Sequence, residues 1–515
     1  MNQIKQEPSM KEVEGTLFNK SKTLYLGAII FIFLLGLAIR FYDLTDAPLD
    51  FHPTRQLYSA LKARGMYYEK LEIVDEEKRE FAVKHWKIQG LIEPPVMERL
   101  TATIYQVVGN EILWIPRILS ILFWTIGGVF LLDMVRRMVD KNAAVFALLL
   151  FMITPYTAIA SRAFQPDPLM VMFMIIGLWG LIRWNENENI ENAILAGLFA
   201  GLAIFIKSVV IFPIGFSFLA VVIWKTRSIK KIFSTLSIWV MAGLTLIPYI
   251  LYMIYGLVIN GSLESQFSLR FFPQLWIDPV FWLRWNEMIS KVVGLEFFLA
   301  SIIGILILKK SIHRVFLTSL LLGYFVYGLT LSHHISTHDY YQLPLVPIVI
   351  IGASMVFSQI IAAIKNPGWI TNGIVIGVII FFATINAWDV RVTLKRVNYD
   401  GEVSFWQKME SVFDRKDSII GITQDYGYRL NYWGWTGIEN WMSSSDFSLR
   451  ELAGQEFDMK TLFEEEVQGK DYFLVTQLSE LDRQPEIRTI LYENYQIKEE
   501  TSDYIIFDLY NQIGN

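Results

Sequence analysis

The sequence predicts an all-α polytopic membrane domain followed by a small α/β domain outside the membrane, on three observations. Of the 515 residues, 53% are hydrophobic and 15% aromatic, more than a soluble chain of this length carries. The apolar residues fall into about eleven blocks, each near the ~20 residues that cross ~30 Å of hydrocarbon as a helix. These blocks stop near residue 388, and a polar region follows. There is no cysteine, which excludes a disulfide framework and any Cys-based metal site.

Residues 1–22 are a polar tail with Lys5, Lys11, Lys20 and Lys22, read as cytoplasmic. The first span, 23–44, lacks a small-residue cleavage site and reads as a retained helix. Further spans fall near 116–135, 143–160, 168–183, 190–206, 208–224, 232–257, 292–308, 314–332, 342–362 and 370–387. Together, 23–387 form the membrane domain. Basic residues orient it. Arg136, Arg137 and Lys141 fill one short connection; Lys225, Arg227, Lys230 and Lys231 fill another; Lys309, Lys310 and Arg314 a third; Lys365 a fourth. An inner N-terminus puts all four on the cytoplasmic side. The connection 184–192 also falls there, with Arg183 its only basic residue.

The complementary outer loops are 45–115, 161–167, 258–291, 333–341 and everything after about 388. Five of the six histidines (His52, His85, His333, His334, His338) lie on that face. In the first outer loop, Leu57–Tyr68 and Pro94–Val108 read as helices along the interface. The loop 258–291 carries Phe271, Phe272, Trp276, Phe281, Trp282 and Trp285, either an aromatic belt or a wall beside a lipid substrate. In 388–515, Phe405–Phe413 reads as a helix, and Ser418–Thr423, Tyr472–Thr476 and Tyr504–Leu509 as strands. No internal repeat is visible.

Five segments carry residues suited to chemistry. In Asp50-Phe51-His52-Pro53-Thr54-Arg55, Asp50 is a candidate general base and Arg55 can hold an anion bidentately. The bland alternative is that Asp50 caps the helix starting near Pro53. In the outer turn Ser161-Arg162-Ala163-Phe164-Gln165-Pro166-Asp167-Pro168, Asp167 also suits a cap. Glu93 precedes Pro94-Pro95 and can orient a basic residue or ligate a cation. Lys207 interrupts an apolar run, so it must reach an anion or the outer surface. In His333–Tyr341, His334 and His338 have i, i+4 spacing and Asp339 adds a carboxylate. With Glu93 these are the candidates for a divalent cation; hydrogen bonding of His338 and Tyr341 to a sugar or phosphate is the other reading. No Gly-rich phosphate loop and no Asp-x-Asp sugar-nucleotide signature occurs. Basic residues cluster where membrane orientation needs them, so nucleic-acid binding is unsupported.

These segments, in this order, resemble the membrane glycosyltransferases of the GT-C superfamily, and within it glycosyltransferase family 39, which holds protein O-mannosyltransferases and the lipid A aminoarabinose transferase. The resemblance covers roughly 23–360. It rests on Asp50 after the first helix, Glu93-Pro94-Pro95, the Arg-Ile-Leu-Ser run Arg117–Ser120, Arg162 with Asp167, Gly-Leu-Ala…Lys ending at Lys207, and His338–Pro344. One departure is Phe51-His52, where the family often has a second acid directly after the first.

The resemblance implies an outer-face active site in the cytoplasmic membrane, a polyprenyl-phosphate-linked sugar as donor, and inversion at the anomeric carbon. The acceptor is a lipid, a glycan or a protein. Arg55, Lys207 and Arg162 would stabilise charge on the leaving phosphate, Glu93, His338 and Tyr341 would join the substrate contacts, Asp50 would take the acceptor proton, and Asp167, the second catalytic candidate, would orient the acceptor, a cation or Asp50's partners. A transporter or flippase is the main rival, but it would favour charges at the bilayer midplane and repeated halves. A second rival is a binding or assembly protein working through its outer domain.

Overall fold

The structure, a computed structural model, describes residues 16–72, 75–90, 93–259, 261, 269–308, 310–364, 368–414 and 416–513. Lys5, Lys11, Lys309 and Lys365 lie outside the described residues. The chain divides into two compact units. The first comprises Met1–Leu44, Ile92–Pro94 and Arg117–Val397; the second comprises Thr45–Leu91, Pro95–Pro116 and Asn398–Asn515.

The first unit is helical. Among the described residues, eight helices are long and apolar enough to cross a membrane, and a bent pair makes a ninth. The eleven spans expected from sequence are therefore not all met by length. Two apolar blocks form short helices, Lys141–Ile153 of 13 residues and Ile190–Ile206 of 17. The first of these stops at Thr154, because the residue before Pro155 disfavours helical backbone and a new short helix, Pro155–Ala160, starts there. The bent pair, Pro279–Val293 and Leu295–Ile307, turns by 89° at Gly294, whose φ of 79° suits glycine.

Helices Asp167–Glu186 and Ile190–Ile206 form a tight antiparallel hairpin. A Cβ at Gly177 or Gly180 would stand 2.7 Å from the backbone nitrogen of Ala200 or Ala196. Small residues let helix backbones approach this closely in a membrane. The hairpin loop is closed by Asn189, whose side chain accepts from the Asn192 N–H at 2.9 Å, and by Asn192 Nδ2 donating to the Asn187 carbonyl at 3.0 Å. An antiparallel pair puts the start of one helix beside the end of the next, so Asp167 and Lys207 share one end.

The other end gathers the basic connections. Arg137 Nη1 meets Glu186 Oε2 at 3.0 Å, Lys231 Nζ meets Glu188 Oε2 at 3.7 Å, and Lys225 Nζ donates to the Asn185 carbonyl at 2.5 Å. His313 Nδ1 lies 3.1 Å from the Met138 carbonyl. The 184–192 connection, poor in basic residues, is thereby grouped with the basic ones. In the aromatic segment the two sequence readings divide: Phe272, Phe281 and Trp285 are buried, whereas Phe271, Trp276 and Trp282 are exposed.

The second unit joins Thr45–Leu91 and Pro95–Pro116 to the C-terminal region. Helix Pro53–Tyr68 is buried from Gln56 to Tyr67 and packs against Glu76–Ile88, Val96–Val108 and Tyr428–Trp433. Helix Glu76–Ile88 has no apolar stripe long enough to announce it, but Asp75 caps it and Glu76, Glu77, His85 and Lys87 complement its dipole. Gly65 permits its approach, since a Cβ there would sit 2.3 Å from Trp86. The sheet has five strands, β1 Ile419–Ile422, β2 Glu439–Asn440, β3 Tyr472–Val475, β4 Tyr495–Glu500 and β5 Ile505–Gln512, in the order β2-β1-β3-β5-β4. β1 runs parallel to β2 and β3; β5 runs antiparallel to β3 and β4. Its core joins Ile420, Ile422, Phe473, Val475, Ile505 and Phe507.

Arg64 ties this unit together. Its Nε stands 3.0 Å from both Glu111 carboxylate oxygens, Nη1 donates to the Tyr432 carbonyl at 2.5 Å, and the guanidinium lies over the Tyr432 and Trp435 rings at 3.6 and 4.2 Å. Burial works against the charge, but Glu111 more than offsets this and raises the Arg64 pKa. An exposed pair such as Arg79–Glu76 contributes about 0–1 kcal/mol. Removing Arg64 instead leaves the half-buried Glu111 carboxylate with the Tyr432 hydroxyl but without its cation, a larger loss than that of an exposed pair. Arg64→Met should therefore sharply increase protease cleavage of the second unit in the full-length protein, and adding Glu111→Gln should restore part of the resistance.

Candidate active site

At the shared end of the hairpin, Lys207 Nζ meets Asp167 Oδ1 at 2.8 Å, and their side chains are 4% and 1% exposed. Asp167 is the first residue of its helix, and the cap position belongs to Pro166 with no side-chain hydrogen bond. The cap reading of Asp167 is thus not realised. Lys207 ends its own helix as the C-cap. An acid at a helix N-terminus and a cation at a C-terminus are each favoured by the helix dipole, so both helices reinforce the pair. The anion that Lys207 had to reach is Asp167.

This pair does not satisfy its surroundings. Asp167 Oδ2 and both amide atoms of the Gln165 side chain are buried with no hydrogen-bond partner among the described residues. Buried polar atoms of this kind call for a partner such as a ligand, an ion or water. Lys207 Nζ also lies over the rings of Tyr340 and Tyr341, at 4.8 and 5.0 Å. The His334 ring stands 5.4 Å from Tyr341 and 5.8 Å from His338. Burial, then the neighbouring His338, pushes His334 down to about 3. His334 is therefore neutral at pH 7, offering hydrogen bonds and no charge.

The four candidates for a cation do not assemble. Among the described residues, no group of three or more His, Asp or Glu side chains is placed to hold a metal ion. The His338 N–H closes the last turn of helix Ser332–Thr337 on the His334 carbonyl at 2.9 Å and the two rings stack, but no third ligand joins them among the described residues. Asp339 turns to other partners, accepting from the Tyr156 hydroxyl at 2.8 Å and pairing with Lys291 Nζ at 2.5 Å. Glu93 is half-buried ahead of Pro94.

Arg162 is committed to the backbone. Its Nη1 and Nη2 donate to the carbonyls of Tyr42 and Asp43, the latter at 2.6 Å. Arg117 Nη1 donates to the Leu44 carbonyl at 2.8 Å, and Arg40 Nε donates to Ser161 Oγ at 2.7 Å. Arg162 and Arg117 satisfy carbonyls beyond the last turn of helix Lys22–Phe41 and fix the chain leaving the first span. Ser120 Oγ donates to the Ala163 carbonyl at 2.7 Å, which locks the turn carrying Asp167.

In the second unit, Asp50 Oδ1 accepts from Gln56 Nε2 at 3.3 Å, and the same amide donates to the Phe51 carbonyl at 2.7 Å. Helix Pro53–Tyr68 takes His52 as its N-cap, in left-handed conformation and with no side-chain cap bond. Asp50 is not the cap of this helix. Arg55 is half-buried, its guanidinium 5.7 Å from the Tyr58 ring centroid. Sequence reasoning gave no role to Gln165, Tyr156, Lys291 or Arg40. Only Arg40 and Lys291 carried a signal, as charges inside or beside apolar runs.

Residues 92–253 match the family described as dolichyl-phosphate-mannose-protein mannosyltransferase. No curated protein sequence matches the chain. Among solved structures, ArnT from Cupriavidus metallidurans bound to undecaprenyl phosphate is similar over 93% of this chain and 98% of that one, at 13% identity and a TM-score of 0.55. The same protein in the apo state is similar over 95% and 98%, at 13% identity and a TM-score of 0.56. The archaeal oligosaccharyltransferase AglB from Archaeoglobus fulgidus, in complex with an inhibitory peptide and a dolichol-phosphate, is similar over 97% of this chain and 75% of that one, at 12% identity and a TM-score of 0.56. At such identities the likeness is one of fold. The matched segment includes Glu93, Arg117, Arg162, Asp167 and Lys207; Asp50, Arg55 and His334–Tyr341 lie outside it.

Proposed function

We propose, from the premise that the chain is a multi-span membrane protein resembling the GT-C glycosyltransferases of family 39, that it transfers a sugar from a polyprenyl-phosphate-linked donor to a lipid, glycan or protein acceptor at the outer membrane face. The observation that carries this reading is the buried Asp167–Lys207 pair beside unpartnered polar atoms of Asp167 and Gln165. Lys207, shaped by Asp167 and the two tyrosine rings, is suited to the phosphate of the donor. The similar structures carry undecaprenyl phosphate and dolichol-phosphate, which supports a lipid-phosphate donor here.

The step is a single displacement. The acceptor hydroxyl gives its proton to Asp50, its oxygen bonds to the anomeric carbon, and the bond from that carbon to the phosphate oxygen breaks. The polyprenyl phosphate leaves with the electron pair, its charge met by cations. Attack opposite the leaving group inverts the anomeric centre. His334, His338 and Tyr341 contribute hydrogen bonds to the sugar. A transporter would place such groups at mid-span, whereas Asp167 and Lys207 stand at helix ends.

Transfer of labelled sugar by the purified protein is the test of this activity. Its orientation is tested separately. Reporters fused after residues 140, 230 and 312 should read as cytoplasmic, and one after 400 as external. An external reporter at 230 would contradict the outer-face assignment.

A further inference from the structure

The sheet of the second unit carries a cleft at the carboxyl end of β1. β2 and β3 flank β1 on opposite sides, both parallel to it, so the chain leaves β1 toward one side and later returns to the other. Such a reversal is a topological switch point, and in open α/β sheets ligands bind outside the carboxyl ends of the strands there. A cleft of about 260 Å³ lies at this place, lined by Thr423, Asp425 and Tyr426 after β1, Asn440 of β2, Gln477 after β3, and Thr54.

Two features mark it as built. Thr423 is 4% exposed, and its hydroxyl oxygen is buried with no hydrogen-bond partner among the described residues. Asp425 and Tyr426 both have left-handed backbones, φ 53° and 57°, which side-chain-bearing residues rarely hold and which persist only where surroundings over-determine them. Here Asp425 Oδ1 accepts from Thr54 Oγ1 at 2.7 Å and Oδ2 from Arg429 Nε at 2.5 Å. Tyr426 stands 42% exposed at the cleft, its hydroxyl donating to Asp446 Oδ1 at 3.1 Å.

The chemistry of the lining selects the ligand. The helix N-terminus at Ser444 is already taken, because Ser443 and Asp446 form a capping box and Glu480 Oε1 accepts from the Ser444 N–H at 2.5 Å. Burial works to raise the Glu480 carboxyl, but these N–H and amide donors outweigh it and hold it below its ordinary value. Both carboxylates are already paired, Asp425 with Arg429 and Glu480 with Arg483, the one cation of the lining, so among the described residues the cleft offers an anion no unpaired cation. Carboxylate and amide acceptors, hydroxyl and amide donors and one open aromatic ring match a neutral polyol with an apolar face. The volume falls below the ~300–1,000 Å³ typical of drug-sized ligands, which suits one sugar unit. We propose that this cleft binds one neutral sugar unit of a glycan.

The test uses the full-length protein in lipid nanodiscs and saturation-transfer NMR with methyl α-mannoside, N-acetylglucosamine and glucuronate. The neutral sugars should bind, with glucuronate at least tenfold weaker. Thr423→Val should weaken neutral-sugar binding at least fivefold without lowering the unfolding temperature, because the hydroxyl it removes has no protein partner. Tyr426→Gly keeps a backbone at home in left-handed space and should abolish the ring contact and most of the saturation. Neutral sugars that fail to bind, glucuronate binding best, or both variants binding like the parent would each overturn the proposal.

Discussion

Lys207→Met is expected to abolish use of a polyprenyl-phosphate donor, with a loss on the order of 10²–10³-fold or more in transfer, the scale seen when a preorganised charge-stabilising group is removed. The variant is also expected to be unstable. It leaves Asp167, 1% exposed, as an uncompensated buried charge, which costs about 3–5 kcal/mol. The two effects are separable. Asp167→Asn combined with Lys207→Met removes both charges and should recover most of the thermal stability lost by either single variant. It should not recover transfer, because the phosphate still lacks its cation. A double variant that transfers at the parent rate would make the pair a structural anchor only, and the donor contact would have to be sought at Arg55 or at His334 and His338.

Asp50→Asn is expected to lower transfer by about 10²–10⁴-fold, the range for loss of a general base, with expression and thermal unfolding unchanged. The substitution keeps the shape of the side chain. The helix behind it takes His52 as its N-cap, so capping is not disturbed. The hydrogen bond from Gln56 Nε2, at 3.3 Å, has an amide oxygen to meet. Rates are compared at saturating donor, so a defect confined to acceptor activation appears in turnover. Turnover near the parent value would remove Asp50 as the base.

The sequence made the membrane domain legible because a helix in lipid must be long and apolar, and Asp50, Asp167 and Lys207 stood out as charges at the edges of such runs. It required Lys207 to find an anion. It did not identify Asp167, because that pairing depends on the close approach set by Gly177 and Gly180 against Ala200 and Ala196. The use of Arg162 and Arg117 on backbone carbonyls was hidden for the same reason: a basic residue looks alike in sequence whether it meets a phosphate or a helix end. In the second unit, β1, β3 and β5 announced themselves by short apolar runs. β4 is exposed at every residue after Tyr495, so no buried face alternates along it, and β2 has two residues. Helix Glu76–Ile88 was signalled only by its capping and end charges.

The central claim is tested most directly by reconstituting the purified protein in liposomes with a panel of polyprenyl-phosphate sugars, each radiolabelled in the sugar, together with membrane lipid and protein acceptors. The account predicts that label from at least one donor becomes covalently attached to an acceptor with inverted anomeric configuration, and that Asp50→Asn and Lys207→Met abolish the attachment. Labelled donor that crosses the bilayer intact, with no label on any acceptor, would contradict it and make the protein a transporter of the lipid-linked sugar.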